Sequence, residues 1–338
     1  MDIRSLSIST NFRSVLPTIL VCAICLSIWS PYSTAAVSGI VILQGNENAE
    51  LKRTIESRLS AIVSTLENND VAKFSDAFTQ EGLIATRALL DRVGLRNARP
   101  VHETRLLTLP KGGYEVRDIR VQVSMGETQG SPYQYLVFSL NTEGKITDLR
   151  FAMERRHYED LVDTGEQLQD FVQRQQILQT VEFFRTAYNR KDLEYIERIF
   201  SDDALIIVGN VVKERPDLPS QDGRLANSLL GQKRIEFIRR SKGEYVDALR
   251  SVFLRSDFLR VDFDSLQVVR DLQDEALYGI TLKQQWQSSS YSDTGYVFLL
   301  MDFVDPDQPL IHVRSWQPER FDDGSTITLQ DFEIIRSE

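Results

Sequence analysis

Residues 311–318, Ile-His-Val-Arg-Ser-Trp-Gln-Pro, hold three side chains suited to recognising a small molecule. In an extended segment successive side chains alternate, which places His312, Arg314 and Trp316 on one side and Ile311, Val313 and Ser315 on the other. Arg314 would offer a planar fork of donors to an anion or a carbonyl, and Trp316 a flat apolar platform. A domain junction or sheet edge where Arg stacks on Trp would look the same. A second segment, Ala276–Gln287, places Tyr278, Ile280, Leu282, Gln284 and Trp286 on one face. Gln284 interrupts that apolar row, so its amide needs a partner there, either a ligand or a facing helix. Tyr278, Gln284, Trp286, His312, Arg314 and Trp316 are therefore the candidate ligand-binding residues.

Acid–base chemistry has less support. Asp262, Asp264 and Asp302, with Tyr278 and Tyr296, fall in strand-like stretches, where exposed carboxylates are ordinary. The sequence contains no G-x-G-x-x-G, Walker loop, H-E-x-x-H or G-x-S-x-G. His102, His157 and His312 are far apart and give no ligand pair, so no metal, cofactor or catalytic residue is assigned.

The chain has 338 residues, with 39 Lys and Arg against 49 Asp and Glu, a formal charge of −10. That length predicts about two domains. The acidic balance, with no sustained basic block, argues against a nucleic-acid partner, which needs a cationic face to displace counterions. Residues 1–36 differ from the rest. Arg4 and Arg13 accompany a polar start, Val15 to Trp29 is mostly apolar, and Thr34-Ala35-Ala36 follows, the three-part order of a secretory leader cleaved near Ala36. The apolar run is shorter than the roughly 20 residues of a spanning helix, so no membrane span is expected after cleavage. Both cysteines, Cys22 and Cys25, would leave with the leader. The exported remainder, periplasmic or extracellular, would be one charge more acidic and free of thiol chemistry.

The elements that must position the candidate residues come in two runs. In the first, Leu51, Ile55, Leu59, Ile62 and Leu66 make one helical face, Asp70 can cap a short helix, and a further helix includes Leu83–Val93. Strands follow at Glu103–Leu109, Tyr114–Ser124, Tyr133–Leu140 and Ile146–Glu154. The second run has a long helix with Leu168, Phe171, Leu178, Val181, Phe184 and Tyr188 and a short helix capped by Asp192. A strand over Ala204–Val212 and helices over Gln232–Ser241 and Gly243–Leu254 follow. Strands are then expected at Leu259–Val269, Ala276–Gln287, Thr294–Phe303, Leu310–Gln317 and Thr326–Ile335. Helices followed by a meander indicate an α+β fold.

The two runs overlay. IESRLSAIVSTLENNDVAKFSDAFTQEGLIA, from Ile55, sets Asp70 and Phe78 against Asp192 and Phe200 of ILQTVEFFRTAYNRKDLEYIERIFSDDALII, from Ile177. A period above a hundred residues means tandem domains. Thr294–Phe303 is apolar on both faces, with Tyr296, Phe298 and Leu300 alternating with Val297, Leu299 and Met301. Its second face needs a cover, expected from the other copy in a pseudo-dimer or from a homodimer through the sheet.

A long amphipathic helix, a short helix within AYNRKDLEYIERIFSDDALIIVG, then a meander through YSDTGYVFLLMDF and IHVRSWQPE, resembles the nuclear transport factor 2-like superfamily, with its SnoaL-like and ketosteroid-isomerase-like members. The resemblance is strongest over residues 165–335. It implies two tandem cone-shaped domains, each a curved antiparallel sheet around a long N-terminal helix: a divergent copy at 47–157 and a second at 160–338. Isomerases of that superfamily use a pocket Asp and a Tyr with a protonated Asp, but no position here matches that set, and fold alone does not give function. The sequence thus reads as an exported, non-enzymatic binding protein whose second domain takes a small ligand or a protein partner in its pocket or on its sheet face. An isomerase, dehydratase or hydrolase-like enzyme and a structural envelope module are the alternatives.

Overall fold

The computed structural model describes residues 39–45, 48–109, 112–124, 132–153, 168–213 and 233–332. The leader expected at 1–36 and the domain junction near 157–160 lie outside them. No helix among the described residues is long and apolar enough to cross a membrane.

The first lobe contains β1 (Ile40–Gln44), α1 (Ala49–Thr65), α2 (Gln80–Leu90), β2 (Gly94–Asn97), β3 (Val101–Thr108), β4 (Tyr114–Ser124), β5 (Tyr133–Leu140) and β6 (Ile146–Phe151). Helix α1 starts where the Asn48 side chain accepts the Leu51 N–H at 3.0 Å, satisfying a first-turn donor. Its Ile55, Leu59 and Ile62 stripe is buried as the spacing predicts, packing on Val116, Val121, Leu136 and Phe138 of one sheet face. The strands run β1-β3-β4-β5-β6, with β2 also paired to β4. Strand β1, parallel to β3, was not apparent in the sequence. The short helix expected after Asp70 is a 3-10 segment, Val71–Ala77, and Asp70 makes no cap; its carboxylate pairs with Lys73 instead.

The second lobe contains α3 (Leu168–Arg190), α4 (Leu193–Ile199), β7 (Phe200–Lys213), β8 (Lys233–Arg240), α5 (Lys242–Arg255), β9 (Leu259–Arg270), β10 (Leu277–Ser288), β11 (Ser292–Asp302) and β12 (Leu310–Gln317). Its sheet order is β8-β7-β12-β11-β10-β9, antiparallel except where β12 runs parallel to β7. Here the capping expectation holds, since Asp192 accepts the Tyr195 N–H at 2.9 Å. The helix expected over Gln232–Ser241 is β8, which pairs with β7 from Ile206↔Arg240 to Lys213↔Lys233. Ladder bonds available at the sheet edge outweigh a pattern too short to hold a helix.

The expected cover of β11 also differs. The described part of Thr326–Ile335 adds no strand and forms only a 3-10 turn, Leu329–Asp331. Its Ile327 and Leu329, with Phe321 and Phe332, pack on Phe298, Leu300 and Val313 of the outer sheet face. The Phe332 and Phe298 rings stack at 5.2 Å. Gly279 makes room, because a Cβ there would lie 2.9 Å from Leu329 Cβ. Among the described residues, the chain's own strap covers this face.

The two lobes meet elsewhere, through α3. One side of α3 gives Leu178, Val181, Phe184 and Tyr188 to the second core. On the other, Glu182 accepts from Arg117 Nη2 at 2.5 Å, Arg150 Nε at 3.4 Å and the Met153 N–H at 2.9 Å. Glu115 accepts from the same guanidiniums at 2.8 and 2.5 Å, so two carboxylates and two arginines close a buried, neutral square. Burial pushes the Glu115 carboxyl up, but Arg150 and Arg117 outweigh it and hold the group below its usual range.

Candidate functional site

Four of the six candidate residues, Gln284, Trp286, Arg314 and Trp316, line one cleft of about 570 Å³ in the second lobe. Their register explains the grouping. Gln284 and Trp286 on β10 stand opposite Gly295 and Asp293 on β11, while Arg314 and Trp316 on β12 stand opposite Leu299 and Val297. Both pairs therefore project from the same sheet face. Gly295 is required beneath the indole, since a Cβ would lie 2.7 Å from Trp316 Nε1 and 2.5 Å from the Gln317 carbonyl oxygen.

His312 leaves this face. The β11–β12 register shifts between Leu300 and Met301, which pair with Val313 and Ile311. His312 is the extra residue of a bulge, and strict alternation fails there. Ile311 enters the inner core and Val313 the outer one, while His312 Nε2 lies 3.5 Å from Asp302 and Nδ1 4.0 Å from Asp203. Tyr278 also does not line the cleft. Its hydroxyl donates to Gln173 Oε1 at 2.6 Å and its ring packs edge-on against Phe303.

The cleft gains residues from helices that the strand pattern did not single out. The Ser241–Glu244 capping box fixes the first turn of α5, and the next residue, Tyr245, presents its hydroxyl 2.5 Å from that of Tyr188 on α3. A tyrosine on each buried helix face was the available signal, because a buried phenol requires a polar partner. Burial first, and then Tyr245, hold the Tyr188 phenol well above the usual range, so it stays protonated. Trp286 packs edge-on against Tyr188 at 5.6 Å.

Arg314 is only 5% exposed. Its Nη2 donates to Gln284 Oε1 at 3.3 Å and its guanidinium lies 5.2 Å from the Tyr245 ring centroid. No carboxylate among the described residues comes within ion-pair distance of it, and its Nε and the Trp316 Nε1 are buried donors without a partner. Burial works against the charge, but the neighbouring Tyr245 and Tyr188 oxygens more than offset it. On another wall, Asp293 Oδ2 accepts the Tyr291 O–H at 2.6 Å, while Oδ1 has no partner. Burial raises the Asp293 carboxyl above its usual range, against the opposing Tyr291 bond and Arg314 charge. Among the described residues, no three His, Cys, Asp or Glu side chains are gathered to hold a metal ion. The site is a half-open aromatic cleft with a buried cation and unused donors.

These features define an α+β protein of two sheets, the second with a cleft between its face and helix α5. No family model and no curated protein matches the chain. Among solved structures it is similar to a nuclear transport factor 2-like protein of unknown function from Pseudomonas putida KT2440. That match is 12% identical over 46% of this chain and 93% of the other, with a TM-score of 0.30. A nuclear transport factor 2-like protein from Cytophaga hutchinsonii ATCC 33406 matches at 16% identity over 43% and 98% of the two chains, TM-score 0.31. A naphthalene 1,2-dioxygenase with indole bound in its active site matches at 8% identity over 50% and 89%, TM-score 0.33.

Proposed function

We propose that the second lobe is a small-ligand binding module, in an exported chain built from two copies of one domain, 47–157 and 160–338. The observation that carries the binding reading is Arg314: a buried guanidinium with no carboxylate partner among the described residues, open to a cleft walled by Trp286 and Trp316. A charge is costly to bury unpaired, and a ligand anion would complete its hydrogen bonding. Duplication is supported by two matches at a constant offset. Asn69 and Lys191, each just before the overlaid aspartates, take left-handed φ of 52° and 55°. Phe78 and Phe200 each make a parallel pairing, with Ile146 and Ile311. Export rests on the three-part order of residues 1–36.

Acid–base catalysis is a second reading, favoured by the Asp293 carboxyl bonded to Tyr291. Tyr291 is 55% exposed, however, and the buried Tyr188–Tyr245 pair has no carboxylate hydrogen-bonded to it among the described residues, so binding is preferred. The test is two-dimensional NMR of the indole N–H signals during titration with a broad panel of small aromatic and aliphatic acids, amides and alcohols. Binding predicts selective shifts of the Trp286 and Trp316 signals, assigned by Trp→Phe variants. A panel that moves neither signal refutes the proposal, and conversion of a bound compound would favour the enzyme.

A further inference from the structure

The lining of the cleft narrows the ligand to a chemical class, an inference that rests on the binding reading above. The whole chain is acidic, at −10, yet Arg240, Arg255 and Arg314 line the cleft against a single carboxylate, Asp293. The local sign is opposite to that of the molecule, which favours an anion and speeds its approach. Gln284 Oε1 and the Tyr188 oxygen accept from Arg314, and Nε is left without a partner. A guanidinium so held keeps donors for a carboxylate. In the Tyr188–Tyr245 pair one hydroxyl proton lies between the two oxygens, which leaves the other hydroxyl proton for a third acceptor. Trp286, Trp316 and Tyr245 add flat apolar surface, which favours a rigid planar body.

We propose that this cleft binds a planar aromatic monocarboxylate, its carboxylate on Arg314 and its ring against Trp286 and Trp316. Asp293 repels a second anionic group.

Calorimetric titration of the full chain with naphthalene-2-carboxylate, naphthalene-2-carboxamide and decahydronaphthalene-2-carboxylate tests the class. The aromatic acid should bind at least tenfold tighter than its neutral amide, the scale of one charge-assisted hydrogen bond, and tighter than the non-planar acid. Arg314→Met should erase the preference for acid over amide. Gln284→Glu should erase it too, by setting a carboxylate against Arg314 within the fold, and it serves if Arg314→Met does not fold. Equal affinity for acid and amide overturns the carboxylate assignment and leaves the binding reading standing, as does equal or tighter binding of the non-planar acid for the planar ring. A preference that survives both variants places the anion elsewhere and overturns it as well. If none of the three binds, the class is overturned, and the NMR panel decides separately whether the cleft binds anything.

Discussion

Replacing Glu182 by Gln should destabilise the whole described fold. Glu182 is fully buried and takes hydrogen bonds from Arg117, Arg150 and the Met153 N–H. The amide would leave two buried arginines, Arg117 and Arg150, sharing Glu115, with Asp148 at 3.9 Å from Arg150 as the remaining carboxylate. A unit-charge pair a few ångströms apart is worth about 4 kcal/mol at an effective dielectric of about 20. Removing one partner of a buried pair typically costs about 3–5 kcal/mol. Either figure is a large part of the roughly 5–15 kcal/mol that holds a domain folded. Urea unfolding followed by circular dichroism reads this as a lower midpoint. Adding Arg117→Met should recover part of the loss, since the cation excess is then removed, with a coupling of roughly 2 kcal/mol in the double-mutant cycle. Breaking the exposed Arg198–Glu194 contact, 4.0 Å apart, should leave the midpoint unchanged. A Glu182→Gln loss below about 1 kcal/mol, or two separate transitions in the parent protein, would refute the view that this square binds the lobes into one unit. The same square should fail in acid. Because the folded Glu115 carboxyl is held below its usual value of 4.5, its contribution is complete above that pH and is lost as pH falls through the lower folded value.

His102, whose Nε2 bonds Asn97 Oδ1 at 2.8 Å, should make stability fall between pH 6.5 and 5. Burial, then Arg99, lower its pKa from 6.5 to about 4, so the unfolded chain takes up a proton that the folded one refuses; thermal melts of His102→Leu should be flatter across that window. Gly295→Ala should cost about 1–3 kcal/mol by overpacking and displace the Trp316 indole N–H signal, and an unchanged spectrum would count against the close approach at that position.

How far the sequence could be read depended on local periodicity. The alternation along β10 put Gln284 with Trp286 and that along β12 put Arg314 with Trp316, while the shared face of the two pairs follows from their register through β11. Alternation misplaced His312 because a single inserted residue reverses every side chain beyond it, and nothing in Ile-His-Val-Arg marks a bulge. Tyr188 and Tyr245 lie 57 positions apart on different helices, so their meeting is a product of tertiary packing that no spacing rule carries. The strand β8, Lys-Arg-Ile-Glu-Phe-Ile-Arg-Arg, has five charged residues in eight and reads equally well as helix; its pairing with β7 decides the outcome. The doubly apolar β11 correctly signalled a cover, but the sequence did not say that the cover was Ile327, Leu329 and Phe332 of the same chain.

That cover has a consequence for synthesis. The second sheet needs nothing beyond Gln317 to form, but Phe321, Ile327, Leu329 and Phe332, which seal its outer face, lie later in the chain. Until the strap closes, Phe298, Leu300 and Val313 face water as a sticky surface next to open strand edges, the situation in which nascent chains associate wrongly. A chain in which the strap has not closed would carry a finished cleft and an unfinished outer face.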